Sequence, residues 1–108
     1  GYPPVNLWLG DNSVVVTAEL PGLSADDVEL TVRQDTLVIR GQRPEDADAE
    51  GADWHRRECP RGAFSRVIGL PFRVDPDRIQ ARFQNGVLEV EMQRPEADRP
   101  RRIAINGN

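Results

Sequence analysis

One histidine and one cysteine occur in the 108 residues, and they stand four apart, as His55 and Cys59, with Pro60 following. A Cys–His pair can make a nucleophile when the imidazole takes up the thiol proton. Acyl transfer also needs donors for the developing oxyanion, and no neighbouring residue marks such a site. The pair therefore reads as partly exposed and non-catalytic. Metal sites gather several His, Cys or carboxylate ligands, and a single His and a single Cys cannot supply them. Acids are abundant, but five of them fall between residues 42 and 53, in a stretch with no apolar periodicity. Burial would not shift their pKa values there. No phosphate-binding glycine loop, GxGxxG or GxSxG is present. An enzyme is not expected, nor any cofactor or metal.

The residues whose types and spacing do carry information are apolar or turn-forming. Asn85-Gly86 is the strongest short hairpin signal, because both central residues of a type I′ turn need positive φ. With those two as the loop, Phe83 pairs with Leu88, Ala81 with Val90 and Ile79 with Met92, giving one apolar face. Arg82 then lies opposite Glu89 on the other face, a favourable cross-strand pair. A slip by one residue would expose the whole apolar set, so the register of residues 79–93 is well specified. Near the end of the chain, Ile103 and Ile105 stand two apart in a polar setting, both on one side if the segment is extended. Such a segment suits addition to an exposed strand edge, although a disordered tail with incidental isoleucines fits the composition equally well.

The elements that must position these residues follow from the rest of the chain. Residues 5–9 form a short extended run after two prolines, suited to a sheet edge. Residues 13–20 are β-branched and apolar enough for a strand buried largely on both sides. Ser24 and Asp27 can cap one helical turn, after which Val28, Leu30 and Val32 alternate with polar residues. Residues 37–41, 54–59 and 64–70 complete the strands, the middle one carried on a long acidic loop. Seven or eight short strands with turn signals and no convincing helix predict an antiparallel, immunoglobulin-like β-sandwich. The apolar positions of 28–32 and 79–83 are expected along sheet edges, where exposed apolar strands invite pairing.

Composition narrows the partners. The chain carries 30% charged and 38% hydrophobic residues, a net charge of −4, and no apolar run near the ~20 residues of a membrane span. Neither nucleic acid nor membrane is an expected partner. All basic residues are arginine, which fits biased base composition. A lone cysteine and the lack of a signal-peptide pattern favour a cytoplasmic location. The chain begins with Gly rather than Met, as a trimmed fragment would.

Assembled, these parts resemble the small heat-shock proteins, specifically the α-crystallin domain in its bacterial or plant form, over residues 4–105. Four stretches carry the likeness: VVVTAELPGL at 14–23, WHRRECPRGAFSRVIGLP at 54–71, ARFQNGVL at 81–88, and IAI at 103–105. The third matches the family signature A-x-x-x-N-G-V-L, and the last its C-terminal I-x-I motif. The resemblance implies an ATP-independent holdase chaperone that binds partly unfolded client proteins and works as dimers that build larger homo-oligomers. It implies a domain over residues 1–94, with a dimerisation loop at about 42–63, and a C-terminal extension over 95–108. It places Val5, Leu7, Trp8, Trp54, His55, Arg56, Arg57, Glu58 and Arg66 at a dimer interface. It makes Val28, Leu30, Val32, Ile79, Ala81 and Phe83 a groove for clients or for the Ile103/Ile105 motif of a neighbouring dimer. Cys59-Pro60 departs from the usual pattern of the dimerisation segment. The family's variable apolar arm would precede Tyr2, and a chain without it is expected to form a dimer or small assembly with reduced chaperone activity. A co-chaperone adaptor built on the same sandwich and binding one folded chaperone is the alternative. A carbohydrate-binding sandwich would need an exposed aromatic platform, and two Trp and one Tyr supply little for one.

Overall fold

The computed structural model describes residues 1–42 and 62–107. Within them the chain forms seven strands: β1 (Val5–Leu9), β2 (Ser13–Glu19), β3 (Val28–Arg33), β4 (Thr36–Gln42), β5 (Ala63–Gly69), β6 (Ile79–Gln84) and β7 (Val87–Gln93). They make two antiparallel sheets, one ordered β1-β2-β7-β6 and one ordered β3-β4-β5. This is the all-β sandwich that the short alternating runs predict. The strand expected at 54–59 lies outside the described residues.

The core is built from the inward residues of the three central strands. Val14, Val16 and Ala18 of β2, Leu37 and Ile39 of β4, and Leu88, Val90 and Met92 of β7 are buried, joined by Ile68 of β5 and by Leu20, Leu23, Leu70 and Val74 from the connections. One expectation needs correction. Strand β2 is not buried on both sides: Val14, Val16 and Ala18 are buried, whereas Val15 and Thr17 on the other face are only half-buried. Among the described residues both neighbours of β2 lie in its own sheet, so its β-branched outer residues are shielded laterally and no other described strand covers them.

The hairpin of β6 and β7 has the register that its alternation predicts, with Ile79 opposite Met92, Ala81 opposite Val90 and Phe83 opposite Leu88. Asn85 and Gly86 form its turn with φ of 52° and 77°. On the outer face Arg82 Nη2 donates to Glu89 Oε1 at 2.9 Å. The hairpin tip is pinned, because the Leu20 N–H donates to the Gly86 carbonyl at 2.7 Å. Between β2 and β3 the chain makes one 3-10 turn (Ala25–Asp27), and the Ser24 N–H donates to the Asp27 carboxylate at 2.8 Å. The period-two pattern takes over at Val28, so the helix stops there.

Candidate functional site: an open groove and an exposed tail

Strands β3 and β6 are the outer strands of different sheets. Each therefore presents an edge that is not hydrogen-bonded to another described strand, and both edges border the same opening. A cavity of about 260 Å³ lies there, lined by Ala25, Val28, Leu30, Ala81, Arg82, Phe83 and Leu88. Val28, Leu30 and Phe83 are half-buried walls, and Leu88 is the buried floor. Ala81 is exposed and sits between Ile79 and Phe83 on the inward face of β6. With only a methyl group there, the apolar row has a notch. Arg82 stands at the rim, where Glu89 on β7 holds its guanidinium.

Of the six groove residues expected from sequence, Val28, Leu30, Ala81 and Phe83 line this cavity. Val32 and Ile79 do not; they are partly buried against the core, and Ile79 instead borders a polar hollow with Asp77, Arg78 and Glu91. Ala25, Arg82 and Leu88, which also line it, were not expected there. Leu88 was legible in principle, because it is the cross-strand partner of Phe83. Ala25 was not, since only the folded chain brings the 3-10 turn beside the cavity that β6 also lines.

Ile103 and Ile105 are 81% and 92% exposed, in a segment without regular structure. Two isoleucines at this exposure leave much apolar area in water, roughly 3–6 kcal/mol if both were buried. In an extended segment their side chains lie on one side, about 7 Å apart.

The far edge of the four-stranded sheet is also open. β1 pairs only with β2 among the described strands, and Leu7 and Trp8 remain 42% and 61% exposed. Val5 and Leu7 share the core-side face of β1, while Trp8 points the other way. Arg66, on β5, is half-buried and donates from Nη1 to the Pro3 carbonyl at 2.8 Å and to the Gly1 carbonyl at 3.2 Å. Beside it the Tyr2 and Phe64 rings meet edge to face, 5.3 Å between centroids. Arg66 thus ties the segment before β1 onto the second sheet. Trp54, His55, Arg56, Arg57 and Glu58 lie outside the described residues, as does Cys59. Among the described residues no group of three or more His, Cys, Asp or Glu gathers as a metal site, and no helix is long and apolar enough to cross a membrane.

Residues 6–106 match the family model described as the Hsp20/alpha crystallin family. The chain belongs to that family. This Hsp20/alpha crystallin chain is 33% identical to small heat shock protein C2 of Rickettsia felis over 105 residues, covering 97% of the chain and 68% of that protein. Among solved structures it is similar to heat shock protein 16.0 of Schizosaccharomyces pombe, with a TM-score of 0.73 and 34% identity over 96% of this chain and 97% of that one. A small heat-shock protein from Xylella fastidiosa, which forms a distinct high order structure, matches with a TM-score of 0.72 and 31% identity over 99% and 98% of the two chains. The family match thus spans both the groove strands and the Ile103–Ile105 segment.

Proposed function

We propose that the chain is an ATP-independent holdase that covers apolar segments of partly unfolded proteins and keeps them from aggregating. The observation that carries this reading is that one chain holds both halves of a plug and socket: a notched apolar groove between two open strand edges, and a tail presenting two exposed isoleucines. Ile103 and Ile105 occupy the groove of a neighbouring molecule in the resting assembly. A client's apolar segment takes the same place when one is available. Burial of the isoleucines favours docking, and ordering the tail offsets much of that gain, so the plug exchanges. Heating favours release because the tail regains conformational freedom. No catalytic group takes part.

Dimers form at the open edge of β1, where Val5, Leu7 and Trp8 receive a strand from a second copy, with Arg66 holding the adjoining segment in place. Membership of the small heat-shock proteins supports this reading, and the exposed apolar side chains of β1 give it a physical basis.

The test is suppression of light scattering by a model client, reduced insulin, at equal mass ratios with and without ATP. The expected result is suppression that ATP leaves unchanged and that is weakened when the groove is filled by Ala81→Leu. Absence of suppression, together with a stable one-to-one complex with a single folded chaperone, would favour the adaptor instead.

A further inference from the structure

The dipeptide Asn-Gly occurs twice, at Asn85-Gly86 and at Asn106-Gly107, in two opposite backbone settings. It is a pair suited to reacting with itself. The amide nitrogen of the glycine can turn onto the side-chain Cγ of the asparagine, and glycine puts neither a side chain nor a strong backbone preference in the way. The reacting atoms must come within about 3–3.5 Å, so what decides is whether the backbone is free to turn.

In the hairpin it is held. Asn85 and Gly86 are set at φ of 52° and 77° between the paired residues Gln84 and Val87. The Leu20 N–H grips the Gly86 carbonyl at 2.7 Å, so closing a ring there would pull the turn out of its place. The other pair lies beyond the last anchors of the chain. Arg73, in the connection after β5, grips Asp98 with a two-pronged fork: Nε to Oδ2 and Nη2 to Oδ1, both at 3.0 Å. Arg99 donates to the Gln93 side chain at 3.2 Å. Residues 101–107 are then exposed and without regular structure. Neither Asn106 nor Gly107 is hydrogen-bonded to another described residue, and a Cβ placed on Gly107 would meet nothing within 4 Å.

We infer that Asn106 is an intrinsic modification site, at which spontaneous deamidation puts a carboxylate directly after Ile105 and loosens the docking of the tail. The Gly107 nitrogen attacks the Asn106 Cγ. A new C–N bond closes a cyclic succinimide, the Cγ–Nδ2 bond breaks, and the proton of the attacking nitrogen leaves with the side-chain amide as ammonia. Water then opens the ring at either carbonyl, to aspartate or to isoaspartate, whose main chain is one carbon longer.

The loosening rests on the plug-and-socket reading above, and its sign comes from charge. The side of the groove where β3 begins is acidic: Asp26 and Asp27 precede Val28 and Glu29 follows it. Arg40 is the one cation among the described residues lining the hollow that these four border. On β6, Arg82 is already paired with Glu89. The chain carries −4 overall, yet residues 99–107 hold three arginines and no acid. Docking therefore sets a basic tail on an acidic rim, and a carboxylate at position 106 opposes it.

The full chain is incubated for days at mildly alkaline pH and digested, and both Asn-Gly peptides are weighed for the mass gain of amide-to-acid conversion. Conversion at Asn106 is expected to run at least about tenfold ahead of that at Asn85, which must first give up the Leu20–Gly86 hydrogen bond. Equal rates, or an unchanged Asn106, overturn the site. Light scattering against concentration reads the consequence. Asn106→Asp is expected to need about two- to fivefold more protein than the parent to reach the same mass, a gap that narrows in high salt. Asn106→Gln, which keeps a neutral amide, is expected to follow the parent. The same loss in Asn106→Gln, or a gap that salt leaves unchanged, overturns the charge effect. So does parent-like assembly of Asn106→Asp while Ile103→Ala with Ile105→Ala still lowers the mass, and that result leaves the plug standing. Parent-like assembly of the isoleucine variant overturns the plug and the loosening with it, and the site then stands or falls on the peptide masses alone.

Discussion

At the residue scale, two glycines are held for different reasons. Gly86 sits at φ +77°, with the Pro21 Cα 3.4 Å from where a Cβ would go. Gly86→Ala is expected to cost about 1–2 kcal/mol, because an L side chain is disfavoured in this backbone region. Denaturant melting should show a lower midpoint at an unchanged slope. Gly41 is different: its backbone angle is not in question, but a Cβ there would run into the Phe64 ring that rests on it. Moving that ring also disturbs its edge-to-face contact with Tyr2. Gly41→Ala is expected to lose about 1–3 kcal/mol by overpacking, read from the same melts. The turn at Asn85-Gly86 was legible in the sequence because a dipeptide with few competing conformations announces itself. The role of Gly41 was not, because what excludes a methyl there is a ring 23 positions further along the chain.

At the element scale, the alternation of β6 and β7 was enough to write their pairing residue by residue, and the edge position of β3 and β6 followed from apolar faces left without partners. Pattern failed where tertiary packing decides. The half-exposed outer face of β2 looks apolar because β-branched residues suit strands whether or not they are covered. The first residues of the extension that the resemblance sets at 95–108 are held to the body as far as Asp98 by an arginine 25 positions earlier. No local signal reports such a partner. The fork also fixes a pH response. The hydrogen bond from Arg73 holds the Asp98 carboxyl below the usual carboxylate range, with the guanidinium charge acting in the same direction. Its stabilising contribution is therefore fully present above that range and is lost only as pH falls through the lowered value. A carbon-detected titration of Asp98 should therefore place its step below that of an unpaired Asp, and Arg73→Ala should move the step back up to the ordinary carboxylate range. A step already in the ordinary range in the parent would show that the fork does not hold the carboxylate.

At the scale of the whole molecule, assembly and stability should separate. Ile103 and Ile105 contribute little to the fold of their own chain because they are exposed. Ile103→Ala with Ile105→Ala is expected to leave unfolding free energy within about 0.5 kcal/mol of the parent. By light scattering, the parent's mass is expected to rise with concentration and the double variant's is not. A mass profile identical to the parent's would remove the tail from assembly.

The order of strands in the larger sheet also bears on how the chain is made. β2 lies beside β7, with Ser13 opposite Gln93. β2 leaves the ribosome before β7, and the whole three-stranded sheet emerges in between. The long side of β2 away from β1 thus stays unpaired until β7 follows. Contacts this distant in sequence form slowly, because a long loop must close before they reward it. During that interval the nascent chain exposes an apolar, unpartnered strand, the very kind of surface that its finished groove is suited to cover. Under the holdase reading proposed above, an unfinished copy of this chain is itself a client of the kind the groove would cover.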